Sequence, residues 1–594
     1  MREYTAPGEK TLPENAHLVQ PLLEHARKTP NKPLLAYRQG DRFVDVSAKE
    51  FADTVERYAR GLIGLGVQAG DRVAIMSPTR IEWIYLDYAI LSCGAVTVPI
   101  YDTSSAEQVE WIISDSGAVA AFFADDDLKA VYDEVADALP NCKHIFVVDK
   151  GLDDLEQAGA DVAVDEVAKR IDGISLDDTA TIIYTSGTTG RPKGCVLTHR
   201  NLRWDIFQAK DVLQNVMGGD DKQLLFLPLA HSFAKILVLA SIEQGVQIGF
   251  STGPQNVVEE MPMFKPTYIA AVPRIFEKVF NGAQQKAHAA GKGSIFDKAA
   301  DTAIAWSEAN EKGSVGLGLK IRHALFDKLV YGKIRDLFGG QLVAASSGGG
   351  PLGARLTHFF NGVGLKVYEG YGLTETSPIL TTNHPGAWRI GSVGKPLPGT
   401  TIRIADDGEI LAKGGQIFPG YYKNEQATKE AIDDDGWFHT GDIGELDSEG
   451  YLKITGRKKE LIVTAAGKNV APAVLEDRLR SHVLISQAIV VGDNRPFIGA
   501  LITIDEEQFP TWAENNGKAG HKVADLIDDP DLVAEINKAV EHANKAVSRA
   551  ESIRKYEILP TDFTIEGGEL TPTLKVKRNV VHDRYQEKIE ELYA

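Results

Sequence analysis

Residues 184–194 read Tyr-Thr-Ser-Gly-Thr-Thr-Gly-Arg-Pro-Lys-Gly and follow the short apolar run Ala180-Thr181-Ile182-Ile183. A buried strand that runs into such a loop provides a polyphosphate cradle. Gly187 and Gly190 let anionic oxygens approach the backbone, and Thr185, Ser186, Thr188, Thr189 and Lys193 add donors and one cation. The loop is not a Walker A sequence. That motif needs Gly, four residues and then Gly-Lys-Ser/Thr, whereas counting from Gly187 puts Pro192 at the second glycine and Gly194 after Lys193. A flexible Ser/Thr/Gly linker has a similar composition; the strand-like lead-in and the single lysine set this segment apart.

Four further segments carry groups that suit a nucleotide. Glu369-Gly370-Tyr371-Gly372-Leu373-Thr374-Glu375 follows a strand-like stretch at 366–368, offering Tyr371 as a stacking face and Glu375 as an oxygen ligand for magnesium. Ser347-Gly348-Gly349-Gly350-Pro351 gives backbone bare enough for a flat ring. Asp435-Gly-Trp-Phe-His-Thr-Gly-Asp442 and Tyr451-Leu-Lys-Ile-Thr-Gly-Arg457-Lys458-Lys459-Glu460 place a carboxylate and an arginine on either side of a hairpin-like segment. Asp442 suits ribose hydroxyls and Arg457 a phosphate. Taken singly, each of these residues has a bland reading as a turn or surface residue.

The elements that must hold these groups alternate. The pattern predicts an amphipathic helix over 51–65, a strand over 72–76, a helix over 81–91 and a strand over 96–100, with more buried strands near 224–227, 268–272 and 342–345. The stretch 276–340 is helical, with Leu319, Ile321, Leu325, Leu329, Val330 and Ile334 near helical spacing among Lys320, Arg322, Lys328, Lys333 and Arg335. Such a helix can lie on an anionic membrane; packing on the core with a solvated face is the commoner origin of the pattern. Turns crowd the chain from residue 395, predicting a small β-rich subdomain. Alternating strands (461–463, 488–491, 500–504) and a helix over 531–548 predict a separate α+β domain beginning near 460, which ends in a polar tail. The fold class expected is therefore α/β: a large N-terminal domain of two mixed sheets plus a β-rich subdomain, and a small C-terminal domain.

At 594 residues the chain exceeds what one core serves. A net charge of −19 opposes nucleic-acid binding, which draws on a basic surface. Cys93, Cys142 and Cys195 form neither a disulfide framework nor a metal motif, and the N-terminus lacks a signal-like apolar core, so a cytoplasmic protein is expected. The apolar stretch 232–250 is interrupted by Lys235, Glu243 and Gly245 and reads as core rather than as a membrane span.

In this order the motifs resemble the adenylate-forming superfamily of acyl-CoA synthetases, adenylation domains and luciferases, over residues 45–580. Residues 435–459, Val272-Pro273-Arg274 with its helical insert, and the ending Leu570-Thr-Pro-Thr-Leu-Lys575-Val-Lys-Arg578 resemble long-chain fatty acid–CoA ligases in particular. The resemblance implies a two-step reaction. A carboxylate attacks the α-phosphate of ATP to give acyl-AMP and pyrophosphate, and the thiol of coenzyme A (CoA) then displaces AMP.

By the same resemblance, Thr185, Ser186, Gly187, Thr188, Thr189, Gly190 and Lys193 would hold the β- and γ-phosphates. Thr374 would touch the α-phosphate, Glu375 would bind Mg2+, and Gly349, Gly350, Pro351, Glu369, Gly370, Tyr371 and Gly372 would frame adenine. Asp442 and Arg457 would take the ribose and phosphate, and His231, in Leu227-Pro-Leu-Ala-His-Ser-Phe233, would lie beside the substrate carboxylate. Lys575 would supply the charge for adenylation, although Leu574 stands where the family has glycine and Lys577 is a neighbouring candidate. Residues 1–458 would form the core and 459–594 a mobile domain hinged at Lys459, bringing Gly467 in place of Lys575 for the second step. An acyl-AMP ligase that loads a carrier protein, and an inactive nucleotide-binding scaffold, are the competing readings. No feature of the sequence fixes chain length or oligomeric state. Peripheral contact with the inner face of the membrane is retained from the basic helix.

Overall fold

The computed structural model describes residues 1–185, 191–214, 216–465, 468–571 and 574–594. Among them two large sheets dominate. One has seven strands, built around parallel Arg72–Met76, Val96–Ile100 and Ala120–Phe123 and continued by Thr179–Thr185 and Lys193–Thr198; the other has nine, including Lys222–Leu225, Gln247–Phe250, Tyr268–Ala271, Ala344–Ser347 and Lys366–Gly372. Strand alternation sorts side chains between layers: Val73 and Ile75 join the core shared by both sheets, while Ala74 and Met76 join a separate cluster on the opposite face.

Two helices in the shared core, Ile81–Ser92 and Ser232–Gln244, are buried on nearly every side, which explains why neither reads as amphipathic. They are joined by an ion pair sealed from water. The Lys235 ammonium lies 2.7 and 2.9 Å from the two Asp87 oxygens, and the Thr97 hydroxyl donates to the same carboxylate at 2.7 Å. Lys235 also sits over the Trp83 ring at 5.6 Å. This pair fixes the helix that begins just after His231 against the seven-stranded sheet.

The β-rich subdomain is a five-stranded sheet of Glu3–Thr5, Thr401–Ile404, Glu409–Lys413, Phe438–Leu446 and Leu452–Arg457. Its three-residue N-terminal strand is too short to show a sequence period. From Ile462 onward a separate core surrounds a three-stranded sheet, Ile485–Val491, Ile498–Ile504 and Ile553–Ile558. The last strand was not expected, because Arg554, Lys555 and Glu557 dilute its apolar pattern. The supposed polar tail is instead two helices, Arg578–Arg584 and Gln586–Tyr593, whose Val581, Ile589 and Leu592 pack under the sheet.

The helical stretch after 273 also departs from expectation. It is split into Pro273–Ala289, Gly293–Glu311, Leu317–Phe326, a π-turn at Asp327–Tyr331 and Gly332–Leu337. Tyr331, Ile334 and Phe338 enter the core, whereas Ile321, Leu325 and Leu329 face solvent.

The sealed ion pair yields a stability prediction. Lys235→Ala leaves Asp87 buried and uncompensated, a loss expected to be about 3–5 kcal/mol, while Asp87→Leu with Lys235→Met is expected within roughly 2 kcal/mol of the parent. Urea unfolding followed by tryptophan fluorescence checks both; equal losses for the single and double variants would show that the two charges do not act as a pair.

Candidate active site

The phosphate-loop motif connects antiparallel strands rather than a strand and a helix: Thr185 is paired with Lys193 across Thr179–Thr185 and Lys193–Thr198. Ser186, Gly187, Thr188, Thr189 and Gly190 lie outside the described residues, as does Gly467. The loop's return is anchored where Trp111 Nε1 donates to the Pro192 carbonyl at 2.8 Å and Arg191 lies over the same indole at 4.8 Å. At its base the Thr185 hydroxyl is 3.7 Å from Cys195 Sγ; burial, followed by the nearby Glu375 carboxylate, pushes that thiol well up and keeps it unreactive.

Glu375 sits in the short turn Thr374–Thr376 and accepts from the Tyr421 hydroxyl at 2.8 Å, and Lys193 Nζ lies 5.1 Å from the centre of the Tyr421 ring. Tyr421 therefore links the predicted phosphate lysine to the predicted magnesium carboxylate. Sequence reading passed over it because Phe418-Pro-Gly-Tyr421 looks like an ordinary turn.

Thr374 is buried, with its hydroxyl 3.1 Å from that of Ser232, and Ser232 directly follows His231. His231 caps its helix through Nδ1, which accepts from the Phe233 N–H at 3.1 Å and thereby leaves the proton on Nε2. Burial, then the Lys575 cation, lowers the pKa of this imidazole to about 4, so it is neutral at physiological pH.

The adenine-loop candidates Gly349, Gly350 and Pro351 are held from below by Glu369. Its buried carboxylate accepts from the Leu352 N–H at 3.0 Å and from the Thr357 hydroxyl at 3.2 Å; burial raises its pKa and these donors oppose the rise. Glu369 therefore supports the loop's backbone. Gly349 adopts φ +81°, and Gly350 stays open enough that a Cβ would meet only Pro273, at 3.8 Å. Gly370 pairs with Thr382. Gly372 follows a register shift in the same ladder, and a Cβ on it would come within 1.6 Å of the Pro378 carbonyl oxygen.

Tyr371 and Arg457 converge on one carboxylate. The Tyr371 hydroxyl donates to Asp442 Oδ2 at 2.7 Å, and Arg457 Nε donates to Oδ1 at 3.0 Å from the paired position on the neighbouring strand. Lys575 completes the group. Desolvation, then the Arg457 guanidinium, lowers its pKa, while Asp442 and Glu460 oppose the shift. The residue as a whole keeps exposed surface, while its amine is crowded by protein. Among the described residues it makes no salt bridge.

Its position depends on contacts across the two cores. Arg274, which follows Pro273 at the edge of the adenine loop, bonds Asp505 at 2.5 Å, and Lys278 reaches Glu507 at 3.1 Å. Locally, Leu574 N–H donates to the Thr571 carbonyl at 2.8 Å and Thr571 N–H to the Lys575 carbonyl at 2.8 Å, with Leu574 at φ +61°. The left-handed backbone at this turn is natural for glycine and strained for leucine, so the departure at Leu574 carries a conformational cost that nothing in the structure explains.

Lys459 is exposed in the turn Lys458–Glu460. On one side Lys458 is tied to Asp407 at 2.6 Å and Glu409 at 2.9 Å; on the other Glu460 faces Arg578 at 3.5 Å. Near the His231 helix, a cavity of about 30 Å³ is lined by Ile206, Ala209, Ile236, Leu237, Ala240 and Tyr268, among others. The helices His199–Leu213 and Ser232–Gln244 supply most of the wall, and Val216, Met217, Tyr268 and Ile379 complete it.

A family model described as "AMP-binding enzyme" matches residues 22–422, and one described as "AMP-binding enzyme C-terminal domain" matches 459–594. The chain is 52 % identical to the long-chain-fatty-acid–CoA ligase FadD15 of Mycobacterium bovis over the whole of both chains. It is 30 % identical to long-chain-fatty-acid–CoA ligase 1 of Cavia porcellus, over 95 % of this chain and 84 % of that one. The solved adenylation domain of a Mycobacterium chelonae carboxylate reductase superposes with a TM-score of 0.75 at 23 % identity, over 97 % and 91 % of the two chains, a likeness of fold. The two family models together with the full-length relative show the family: this chain belongs to the AMP-binding enzyme family, the adenylate-forming superfamily, beside the bacterial long-chain-fatty-acid–CoA ligases.

Proposed function

We propose that this chain is an AMP-forming long-chain fatty acid–CoA ligase that works with Lys575 as its adenylating cation. The observation that carries the mechanism is the convergence of Lys575, Arg457, Asp442 and His231, which come from distant parts of the sequence, in one cleft. The fatty acid carboxylate forms a bond to the α-phosphorus of ATP as the bond to the bridging oxygen breaks and pyrophosphate leaves. The CoA thiol, its proton lost to water, then attacks the acyl carbon and expels AMP.

The residues present suit these steps. Carboxylate and α-phosphate repel each other, and a cation about 4 Å away offsets roughly 4 kcal/mol at an effective dielectric near 20, about three orders of magnitude in rate. Burial, then Arg457, lowers the Lys575 pKa while Asp442 and Glu460 oppose the shift, and no salt bridge among the described residues occupies the amine, which leaves it open to an anionic substrate. Neutral His231 offers Nε2–H to the carboxylate without adding charge. Thr185 and Lys193, with Ser186 to Gly190, take the pyrophosphate oxygens; Thr374 takes the α-phosphate, Gly349 to Pro351 with Tyr371 frame adenine, and Asp442 binds the ribose.

Glu375 fits a magnesium ion. No cluster of three acidic, histidine or cysteine ligands occurs among the described residues, and a single half-buried carboxylate beside a phosphate cradle is how Mg2+ is commonly held, with phosphates and water completing its shell. When bound, that ion would neutralise phosphate charge.

The hinge reading rests on Lys459 standing between Lys458, tied to the β-rich subdomain, and Glu460, which faces Arg578. Residues 459–594 would turn there after adenylation, breaking the Arg274–Asp505 and Lys278–Glu507 contacts and exchanging Lys575 for the Gly467 loop. An acyl chain leaving the His231 region meets Ile236, Leu237 and Ala240 within three helical turns, an apolar path that would have to widen from its present 30 Å³. No helix among the described residues is long and apolar enough to cross a membrane, and three buried free cysteines suit a reducing cytoplasm.

The substrate assignment is checked by pyrophosphate release over carboxylic acids from short to very long, with and without CoA. Acyl-CoA formation with an optimum at long chains is expected; an optimum below medium length, or acyl-AMP accumulating unchanged with CoA present, would overturn it. The turn at Leu574 gives a second test. Leu574→Gly is expected to keep the adenylation rate, whereas β-branched Leu574→Val adds about 1–3 kcal/mol of strain and should slow adenylation roughly tenfold while sparing the thioester step. Identical rates for both variants would show that the left-handed turn does not place Lys575.

A further inference from the structure

Strand alternation gathers four side chains on one face beside the phosphate loop. Thr185 and Lys193 are cross-strand partners, Cys195 lies two residues beyond Lys193, and Tyr421 is paired with Cys195 from the edge strand Gly420–Tyr421. The turn that carries Glu375 is tied to the segment leading into that edge strand. The Phe418 N–H donates to the Glu375 carbonyl oxygen at 2.9 Å, and the Ser377 hydroxyl donates to the Gln416 carbonyl at 2.8 Å. Tyr421 is thereby set between a cation and an anion: its ring centre lies 5.1 Å from Lys193 Nζ, and its hydroxyl donates to Glu375 Oε1 at 2.8 Å. Burial, then the Glu375 charge, pushes the phenol pKa up, so the hydroxyl keeps its proton and its role as donor. The ring is held by Phe418, which meets it edge-on at 4.9 Å, and the Tyr421 N–H donates to the Thr428 hydroxyl at 2.9 Å. Among the described residues neither Lys193 nor Glu375 forms a salt bridge.

We propose that Tyr421 is a positioning residue for the metal–polyphosphate unit, holding the Lys193 cation and the Glu375 carboxylate apart so that both remain available to Mg2+-bound phosphates. The inference rests on the reading of Lys193 and Glu375 given above, and it adds a group that itself touches neither phosphate nor metal. Lysine carries its charge on a flexible four-carbon stem, and an ammonium that swung onto Glu375 would close an ion pair in which each charge satisfies the other. Tyr421 occupies both partners from opposite parts of one rigid side chain. Its ring face holds the ammonium by a cation–π contact, which phosphate oxygens can replace. Its hydroxyl takes Oε1 and leaves Oε2 for an incoming cation. The Cys195 thiol also faces this carboxylate, but a thiol is a weak donor, so the phenol is the group that orients it.

The test is calorimetric titration of the full chain with ATP, in the absence of fatty acid and CoA, at a series of Mg2+ concentrations. Tyr421→Phe keeps the ring and removes the hydroxyl. The Mg2+ concentration that gives half-maximal ATP binding should rise about tenfold in this variant, while ATP affinity at saturating Mg2+ returns to within about twofold of the parent. Tyr421→Leu removes the ring as well, and its ATP affinity should stay about tenfold weaker than the parent's however much Mg2+ is added. A packing role alone would weaken both variants in parallel with no rescue of Tyr421→Phe by Mg2+, and that result would overturn the proposal. Tyr421→Phe conserves the ring and its packing, so it decides the question on its own. Glu375→Gln separates the proposal from the reading beneath it. A Mg2+ curve shifted by Glu375→Gln and unmoved by Tyr421→Phe would defeat the proposal alone; a curve unmoved by Glu375→Gln would defeat the magnesium assignment and the proposal with it.

Discussion

The proposed chemistry turns on keeping one lysine available to an anionic substrate. An ammonium among carboxylates normally closes into a salt bridge, where its field is spent; in an apolar pocket it loses its proton. Lys575 forms no salt bridge among the described residues, and burial lowers its pKa while Asp442 and Glu460 oppose the shift. Asp442, the nearest acid able to capture it, is already engaged by Tyr371 and Arg457, and Arg457 also repels the amine.

Holding such a charge demands support from both cores. The His231 side is set by the sealed Lys235–Asp87 pair, which fixes the helix whose first turn carries Ser232 and, through it, Thr374. The Lys575 side is set by the turn at Leu574 and by Arg274–Asp505 and Lys278–Glu507, few and polar contacts rather than a continuous apolar seam. Polar contacts of this kind can exchange with water at modest cost, whereas a packed apolar seam would resist opening. Under the proposed hinge, reversibility would lie where the second core meets the first.

Candidate site residues could be named in the sequence where motifs follow one another in a fixed order. The phosphate loop, Thr374-Glu375, Asp442 with Arg457, and Lys575 each fit a turn or a surface when taken singly, and it was through their order along the chain and the resemblance it carries that they could be named as candidates. Tyr421, Ser232 and Thr357 could not, since each acts through a partner far away in the chain and none is unusual in its own surroundings. Strands and helices of the two large sheets were legible from their periods. The strand Ile553–Ile558 and the terminal helices were not, because each buries only a narrow stripe beneath charged residues. The π-turn at Asp327–Tyr331 separates the core-facing Tyr331, Ile334 and Phe338 from a helix that regular spacing read as core-packed but that shows Ile321 and Leu325 to solvent.

The central claim is that Lys575 serves the first half-reaction alone, and separating the half-reactions tests it most directly. In Lys575→Ala, pyrophosphate release from ATP and a long-chain acid should fall about a thousandfold, the loss of roughly 4 kcal/mol of charge stabilisation. Thioester formation from supplied acyl-AMP and CoA should stay near the parent rate. Equal loss of both steps would contradict the account.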